Sequence, residues 1–117
     1  MDKDGLKETL RKASTNDIFT LQSFKILKKQ DFIEYPKLGL IELDKIVKKI
    51  SMHTGGILLI DYGYLNPLNK NSLQAVMKNK KVKMSKLINY MGKADITYLV
   101  NFNLLKEYFL KKNLKVK

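Results

Sequence analysis

The place where residue types and spacing suggest a ligand-facing edge is Asp61-Tyr62-Gly63-Tyr64, directly after Ile57-Leu58-Leu59-Ile60. Four consecutive apolar, β-favouring residues read as a strand buried on both faces, and open parallel sheets bind ligands beyond the carboxyl ends of such strands. A carboxylate, a phenol and a glycine at that point can line a pocket. Asp61 and Gly63 can equally close a turn, the glycine taking up a positive φ. Elsewhere the chemical inventory is sparse. The chain has no cysteine, which excludes disulfides, thiolate zinc sites, iron–sulfur clusters and a cysteine nucleophile. His53 is the single histidine, so no second imidazole or thiolate is present to share a metal with it. Glu34, Glu42 and Asp44 are near one another, but Glu42 and Asp44 are two apart and do not share a helix face. No acid–base pair and no nucleophile–base arrangement is legible, and no catalytic residue is assigned.

The elements that would position this edge begin at Pro36, which suits the first turn of a helix. Leu40, Leu43, Val47 and Ile50 recur at helical spacing, with Ile46 widening the stripe. Lys45, Lys48 and Lys49 lie toward the C-terminal end, where the helix dipole favours cations, and Gly55-Gly56 supplies the stop. Residues 36–64 therefore read as helix, turn, buried strand and polar-aromatic tip, half of a βαβ unit. Upstream, residues 1–31 are a weakly patterned lead-in, with a short strand around Ile18–Leu21 and a solvated connector over Lys25–Gln30. Downstream, Asn66-Pro67 to Asn71 is a turn-rich loop and Ser72–Met77 is either helical or extended. Lys78–Lys86 is a basic stretch and Ala94–Val100 a strand. Asn101 can cap a last helix carrying Leu104, Leu105, Tyr108 and Phe109. One firm strand and one or two further ones fall short of the five or more in a complete doubly wound domain, so the chain is expected to be an incomplete one.

Length and charge bound the rest. At 117 residues the chain is one domain at most. It carries 23 basic and 11 acidic residues, a net charge of +12. Arg11 is the single arginine and the other 22 basic residues are lysines. Dedicated nucleic-acid surfaces usually mix in arginine, whose planar fork reads phosphates and guanine edges. The lysine excess, beside nine asparagines, reads more as a general residue bias than as a nucleic-acid surface. No apolar run approaches the roughly 18 residues of a membrane span, and MDKDGLKETL lacks the apolar centre of a signal peptide. A cytoplasmic location is expected.

GGILLIDYG (Gly55–Gly63) is followed by Ser72-Leu73-Gln74-Ala75, then Gly92-Lys93-Ala94-Asp95-Ile96-Thr97, then Val100-Asn101-Phe102. In that order and approximate spacing these blocks resemble the MidA family of S-adenosylmethionine-dependent methyltransferases. Ile33-Glu34-Tyr35-Pro36 is similar to that family's glutamate-containing lead into the helix, and the resemblance covers residues 33–105. It implies an α/β fold, the C-terminal part of a doubly wound, Rossmann-like methyltransferase sheet. It also implies a protein arginine methyltransferase of the kind whose mitochondrial members assist respiratory complex I assembly, in the matrix if the source is a eukaryote. By the same resemblance Asp61, Tyr62 and Gly63 would face the cofactor, S-adenosylmethionine, while Gln74, Asp95 and Thr97 would face the substrate, Gln74 as a hydrogen-bond partner for a guanidinium.

The sequence departs from the family's pattern in three ways. No G-x-G occurs, so the glycine-rich cofactor loop is absent. Asn79 stands where the family tends to have histidine. Leu99 and Asn101 replace the histidine and aspartate of its Thr-x-His-Val-Asp-Phe block. The expectation is a single incomplete domain over 1–117, inactive alone, whose missing N-terminal half could be carried on a separate chain. The alternatives are a small basic module binding nucleic acid through Lys78, Lys80, Lys81, Lys83 and the C-terminal lysines, and a protein-interaction module using an unpaired sheet edge.

Overall fold

A computed structural model describes residues 9–117. Three α-helices, α1 (Thr15–Ser23), α2 (Lys37–His53) and α3 (Phe102–Lys111), frame five short strands and one 3₁₀ segment, Met84–Tyr90. The strands are β1 (Gly63–Tyr64), β2 (Gln74–Met77), β3 (Lys80–Val82), β4 (Asp95–Thr97) and β5 (Val100–Asn101). They form two small sheets. β1 pairs with β5 in parallel, Gly63 opposite Val100 and Tyr64 opposite Asn101. β2 is the centre of a three-stranded antiparallel sheet in the order β3-β2-β4. The mixture of helices and sheets is α/β, and the parallel pair is its feature in common with a doubly wound sheet.

The main core lies where the three helices meet the parallel pair. Phe24, Ile26, Leu40, Val47, Leu104 and Tyr108 are buried together, with Leu43, Ile57, Leu105 and Phe109 packed against them. Phe24 meets Tyr108 edge-on, ring centroids 6.0 Å apart, the arrangement that aromatic quadrupoles favour. Tyr108 donates its hydroxyl hydrogen to Asp44 Oδ1 at 2.6 Å, tying α3 to α2. Lys112 Nζ lies 2.7 Å from the same carboxylate. The contact with Lys112 and then the Tyr108 hydrogen bond hold the Asp44 carboxyl below its ordinary range. Burial and then the Asp44 bond push the Tyr108 phenol well above its ordinary value.

Two sequence expectations hold closely. The helix after Pro36 forms with Leu40 and Val47 buried, and Asn101 caps α3, its side chain accepting from Leu104 N at 3.0 Å. Ser72–Met77 resolves as extended. Other expectations are corrected. Ile18–Leu21 is helical, because Ser14 accepts from Asp17 N and donates to the Asp17 carboxylate, a reciprocal cap that starts α1. Lys25–Gln30 is a connector solvated at Lys25, Leu27, Lys28 and Lys29, but Lys25 takes φ 58° and the segment buries Ile26 and Gln30. Ile46 is half exposed and does not widen the buried stripe. α2 ends at His53, one residue before Thr54 at φ 57° and two before Gly55.

The largest correction concerns Ile57–Ile60. It is no buried strand: Leu58 is 83% and Ile60 84% exposed. A strand buried on both faces needs neighbours on both edges, and the described residues offer one parallel partner, β5, which is taken up by Gly63–Tyr64. The single strand expected over Ala94–Val100 is in fact two. β4 and β5 belong to different sheets, and the chain crosses between them at Tyr98-Leu99.

Candidate functional site

Three segments far apart in sequence are joined by one carboxylate. Glu34, in the loop before α2, accepts from Ser72 N at 2.9 Å. It also accepts from Ser72 Oγ, at 2.6 Å to Oε2 and 2.8 Å to Oε1. Ser72 Oγ in turn accepts from Leu99 N at 2.8 Å, at the crossing between β4 and β5. A carboxylate accepting several protein hydrogen bonds is held in one orientation. It anchors the antiparallel sheet, through Ser72 and Leu99, to the helical core. Tyr64 lies close enough that its phenol is pushed up, by burial first and by the Glu34 charge second.

Beside Glu34 runs a groove of about 260 Å³. It is lined by Leu40 and Leu43 of α2, Leu105 of α3, the run Leu59, Ile60 and Asp61, and Tyr98, Asn101 and Phe102. Glu34 and Tyr98 also border a second, more open depression of about 300 Å³ with Tyr35, Asn71 and Leu73. Asn101 is buried, donating to Gln30 Oε1 at 2.8 Å while it caps α3. The site is apolar walls with two carboxylates and a carboxamide set into them, a composition suited to a small organic ligand carrying hydroxyl or cationic groups.

The sequence-derived site residues fall into two sets. Asp61 borders the groove, and its Oδ1 accepts from Tyr62 N at 2.7 Å. Tyr62 presents its ring to solvent, and its carbonyl accepts from Val100 N at 2.9 Å. Gly63 opens β1. Asp61 and Tyr62 thus lie ahead of the paired strand rather than beyond its carboxyl end, because pairing begins later in the chain than the apolar run suggests. Gly63 has no positive φ. A Cβ there would run into the Val100 carbonyl and lie 2.5 and 2.6 Å from ring atoms of Phe102, so close packing explains the glycine.

Gln74, Asp95 and Thr97 are brought together. Gln74 is opposite Thr97, and Val76 is opposite both Asp95 and Lys81. Residues alternate faces along strands, so Gln74, Val76, Lys81, Asp95 and Thr97 share one face. Gln74 Nε2 lies 3.3 Å from Thr97 Oγ1. On the opposite face Ala75 is fully buried, while its partner Ile96 is 57% exposed. The basic stretch takes part as the hairpin: Lys78 and Asn79 both have positive φ, the two-residue turn in which asparagine is at home. That turn gives Asn79 a local role.

Sequence reasoning missed the Ser72–Leu99 link and the position of Tyr98. Glu34 entered as part of a motif and Ser72 as part of another, 38 residues away, and no local pattern signals that pairing. Among the described residues no group of three His, Cys, Asp or Glu side chains is placed to hold a metal ion, and no helix is long and apolar enough to cross a membrane.

With this geometry in place, comparison with known proteins gives one match. The model of the family described as "Putative S-adenosyl-L-methionine-dependent methyltransferase" matches residues 1–117. No curated protein and no solved structure matches the chain. The match spans every residue, and the chain belongs to this S-adenosyl-L-methionine-dependent methyltransferase family.

Proposed function

We propose, from that membership, that the chain serves S-adenosylmethionine-dependent methyl transfer as the C-terminal part of a Rossmann-like, MidA-type enzyme. The acceptor in this reading is a protein arginine, in the setting of respiratory complex I assembly. The observation that carries the methyltransferase reading is the family match over 1–117. The finer reading is supported by the order of the four motif blocks and by their meeting in space: Gly63 lies opposite Val100, and Gln74 opposite Thr97.

The groove suits part of the cofactor. Asp61 offers a carboxylate for ribose hydroxyls, and Leu40, Leu43 and Phe102 offer apolar surface for a purine. At about 260 Å³ it is smaller than the ~300–1,000 Å³ of sites that bury a small ligand whole. It forms one wall of a site, which accords with a chain that is inactive alone. When bound, the cofactor supplies an electrophilic methyl group on a sulfonium sulfur. The chain's own residues orient the acceptor: Asp95 can pair with a guanidinium charge while Gln74 and Thr97 fix its edge, and such positioning carries most of the rate gain in a transfer of this kind.

The test is a thermal melt of the 117-residue chain with and without millimolar S-adenosylhomocysteine, repeated for Asp61→Ala. A ligand at about 100 times its dissociation constant adds about 2.7 kcal/mol if it binds the folded state alone. Because the groove is one wall of a site, the expected shift is smaller than that and is abolished by Asp61→Ala. A full shift would show a complete cofactor pocket and overturn the reading that the chain is inactive alone. A firm transition that the ligand leaves unmoved refutes a cofactor role for this groove.

A further inference from the structure

We propose that the sheet face carrying Gln74 and Thr97 selects acceptor segments in which an acidic residue stands three positions from the target arginine. The proposal rests on the arginine-acceptor reading above and adds a residue which that reading does not use, Lys81. Val76, in the central strand, has Lys81 opposite it on β3 and Asp95 opposite it on β4. All three side chains share the face of Gln74 and Thr97. Gln74 and Val76 are half-buried there, and Lys81, Asp95 and Thr97 are exposed. Lys81 and Asp95 are held two strand spacings apart, about 9–10 Å between backbones. Neither takes part in an ion pair among the described residues, where the pairs belong to Lys37, Lys45 and Lys112.

The charge of this surface is local. From Tyr62 to Ala94 the sequence holds seven lysines and no acidic residue. Asp95 is the single carboxylate on the three strands, and it lies on the edge strand β4. Lys78, Lys80, Lys81 and Lys83, all exposed, lie on the other edge strand, in the turn leading into it and just beyond it. The sheet is therefore negative at one edge and positive at the other, and that polarity chooses the occupant. A polyphosphate would satisfy the lysines but set a like charge against Asp95, and a purely basic segment would do the reverse at Lys81. An extended chain rises ~3.3 Å per residue and crosses from Asp95 to Lys81 in three residues. An arginine and an acidic residue at that spacing satisfy both edges at once, with Val76 as an apolar floor between them.

The probes are two synthetic peptides with a central arginine, one carrying glutamate at the third position on either side and one carrying glutamine there. Each is titrated, without cofactor, into the isotope-labelled 117-residue chain, and the amide resonances of β2, β3 and β4 are followed by NMR. The glutamate peptide is expected to bind about two- to fivefold more tightly, the range of one exposed ion pair, and the preference should fade as salt rises. Lys81→Glu should abolish or invert the preference. Lys48→Glu, the same change of net charge at an exposed position of α2, should leave it intact. The proposal is overturned if the strand amides do not move, if the glutamine peptide binds equally well, or if Lys48→Glu acts as strongly as Lys81→Glu. It is also overturned if a single-stranded oligonucleotide binds the same amides more tightly than the glutamate peptide. A melt with S-adenosylhomocysteine on the same samples separates the two readings. A ligand shift that persists without the peptide preference removes the acceptor rule alone, and a preference that persists without the shift removes the cofactor role of the groove alone.

Discussion

Replacing Gly63 with alanine separates two roles for this residue, packing and ligand contact. The added Cβ would meet the carbonyl of Val100 and lie 2.5 and 2.6 Å from Phe102 ring atoms. Neither neighbour can retreat freely: the carbonyl belongs to β5, and Phe102 is the first residue of α3. Relief requires β1 and β5 to part, at the expense of the Val100 N to Tyr62 carbonyl bond of 2.9 Å. Overpacking costs about 1–3 kcal/mol and the bond about 1 more, so a loss near 3 kcal/mol is expected. For a chain of this size that lowers the melting temperature by roughly 10 °C or more. Gly56→Ala is the control: nothing lies within 4 Å of its Cβ position and φ is not positive, so its melt should hold or rise slightly. The assay is circular dichroism of both variants on heating and in urea. If Gly63→Ala melts with the parent chain, the packing argument is wrong. If it also loses the S-adenosylhomocysteine shift, the glycine is there for the ligand instead.

Ser72→Ala removes the donor to Glu34 and the acceptor for Leu99 N together. It should cost about 2 kcal/mol and speed amide exchange at Leu99 before it affects α2 and α3. Tyr108→Phe removes the bond to Asp44 and should cost about 1.5 kcal/mol in urea titrations at pH 7. The parent chain should also lose stability as pH rises from about 10. The folded-state phenol is raised, so its contribution is complete below the unfolded pKa and vanishes as pH climbs toward the folded one; Tyr108→Phe should flatten that limb. At the acid end the sign reverses. Asp44 and Asp17 are both lowered, Asp44 chiefly by Lys112 and Asp17 chiefly by its Ser14 hydrogen bond. Their stabilisation is present above about pH 4 and fades as pH falls through the depressed values. Urea midpoints measured downward from pH 5 should therefore decline less steeply for Asp44→Asn than for the parent chain.

What the sequence made legible was what is encoded locally. The α2 stripe and the Asn101 cap follow from spacing and one side chain each, and both are present in the structure. The Ser14–Asp17 cap is equally local, but the apolar residues after it, Ile18, Phe19 and Leu21, keep neither period, so the helix it starts does not show in the pattern. The Glu34–Ser72–Leu99 link, the split of residues 94–100 between two sheets and the packing role of Gly63 could not be read. Each depends on which segments meet across tens of residues. The shared face of Gln74, Asp95 and Thr97 stands between these cases: the residues were singled out by resemblance, and only the register of β2 with β4 shows that they are neighbours.

The mismatch at Ile57–Ile60 is itself informative. Four adjacent large aliphatic residues with no polar alternation are a composition suited to a strand covered on both faces, and an exposed edge strand ordinarily carries charge or proline against association. This run has neither, yet Leu58 and Ile60 are more than four-fifths exposed. Burying two such side chains is worth about 3–6 kcal/mol, comparable to the whole stability of a small domain. Leaving them in water is therefore a large stabilisation forgone. Local composition and observed environment agree only when a further layer covers the side chains of Leu58 and Ile60. Lysine at positions 58 and 60 should thus raise the solubility of the isolated chain and leave its melt unchanged. A melt lowered by more than a few degrees would show that these side chains are already buried within the chain, contrary to the exposure that the structure gives them.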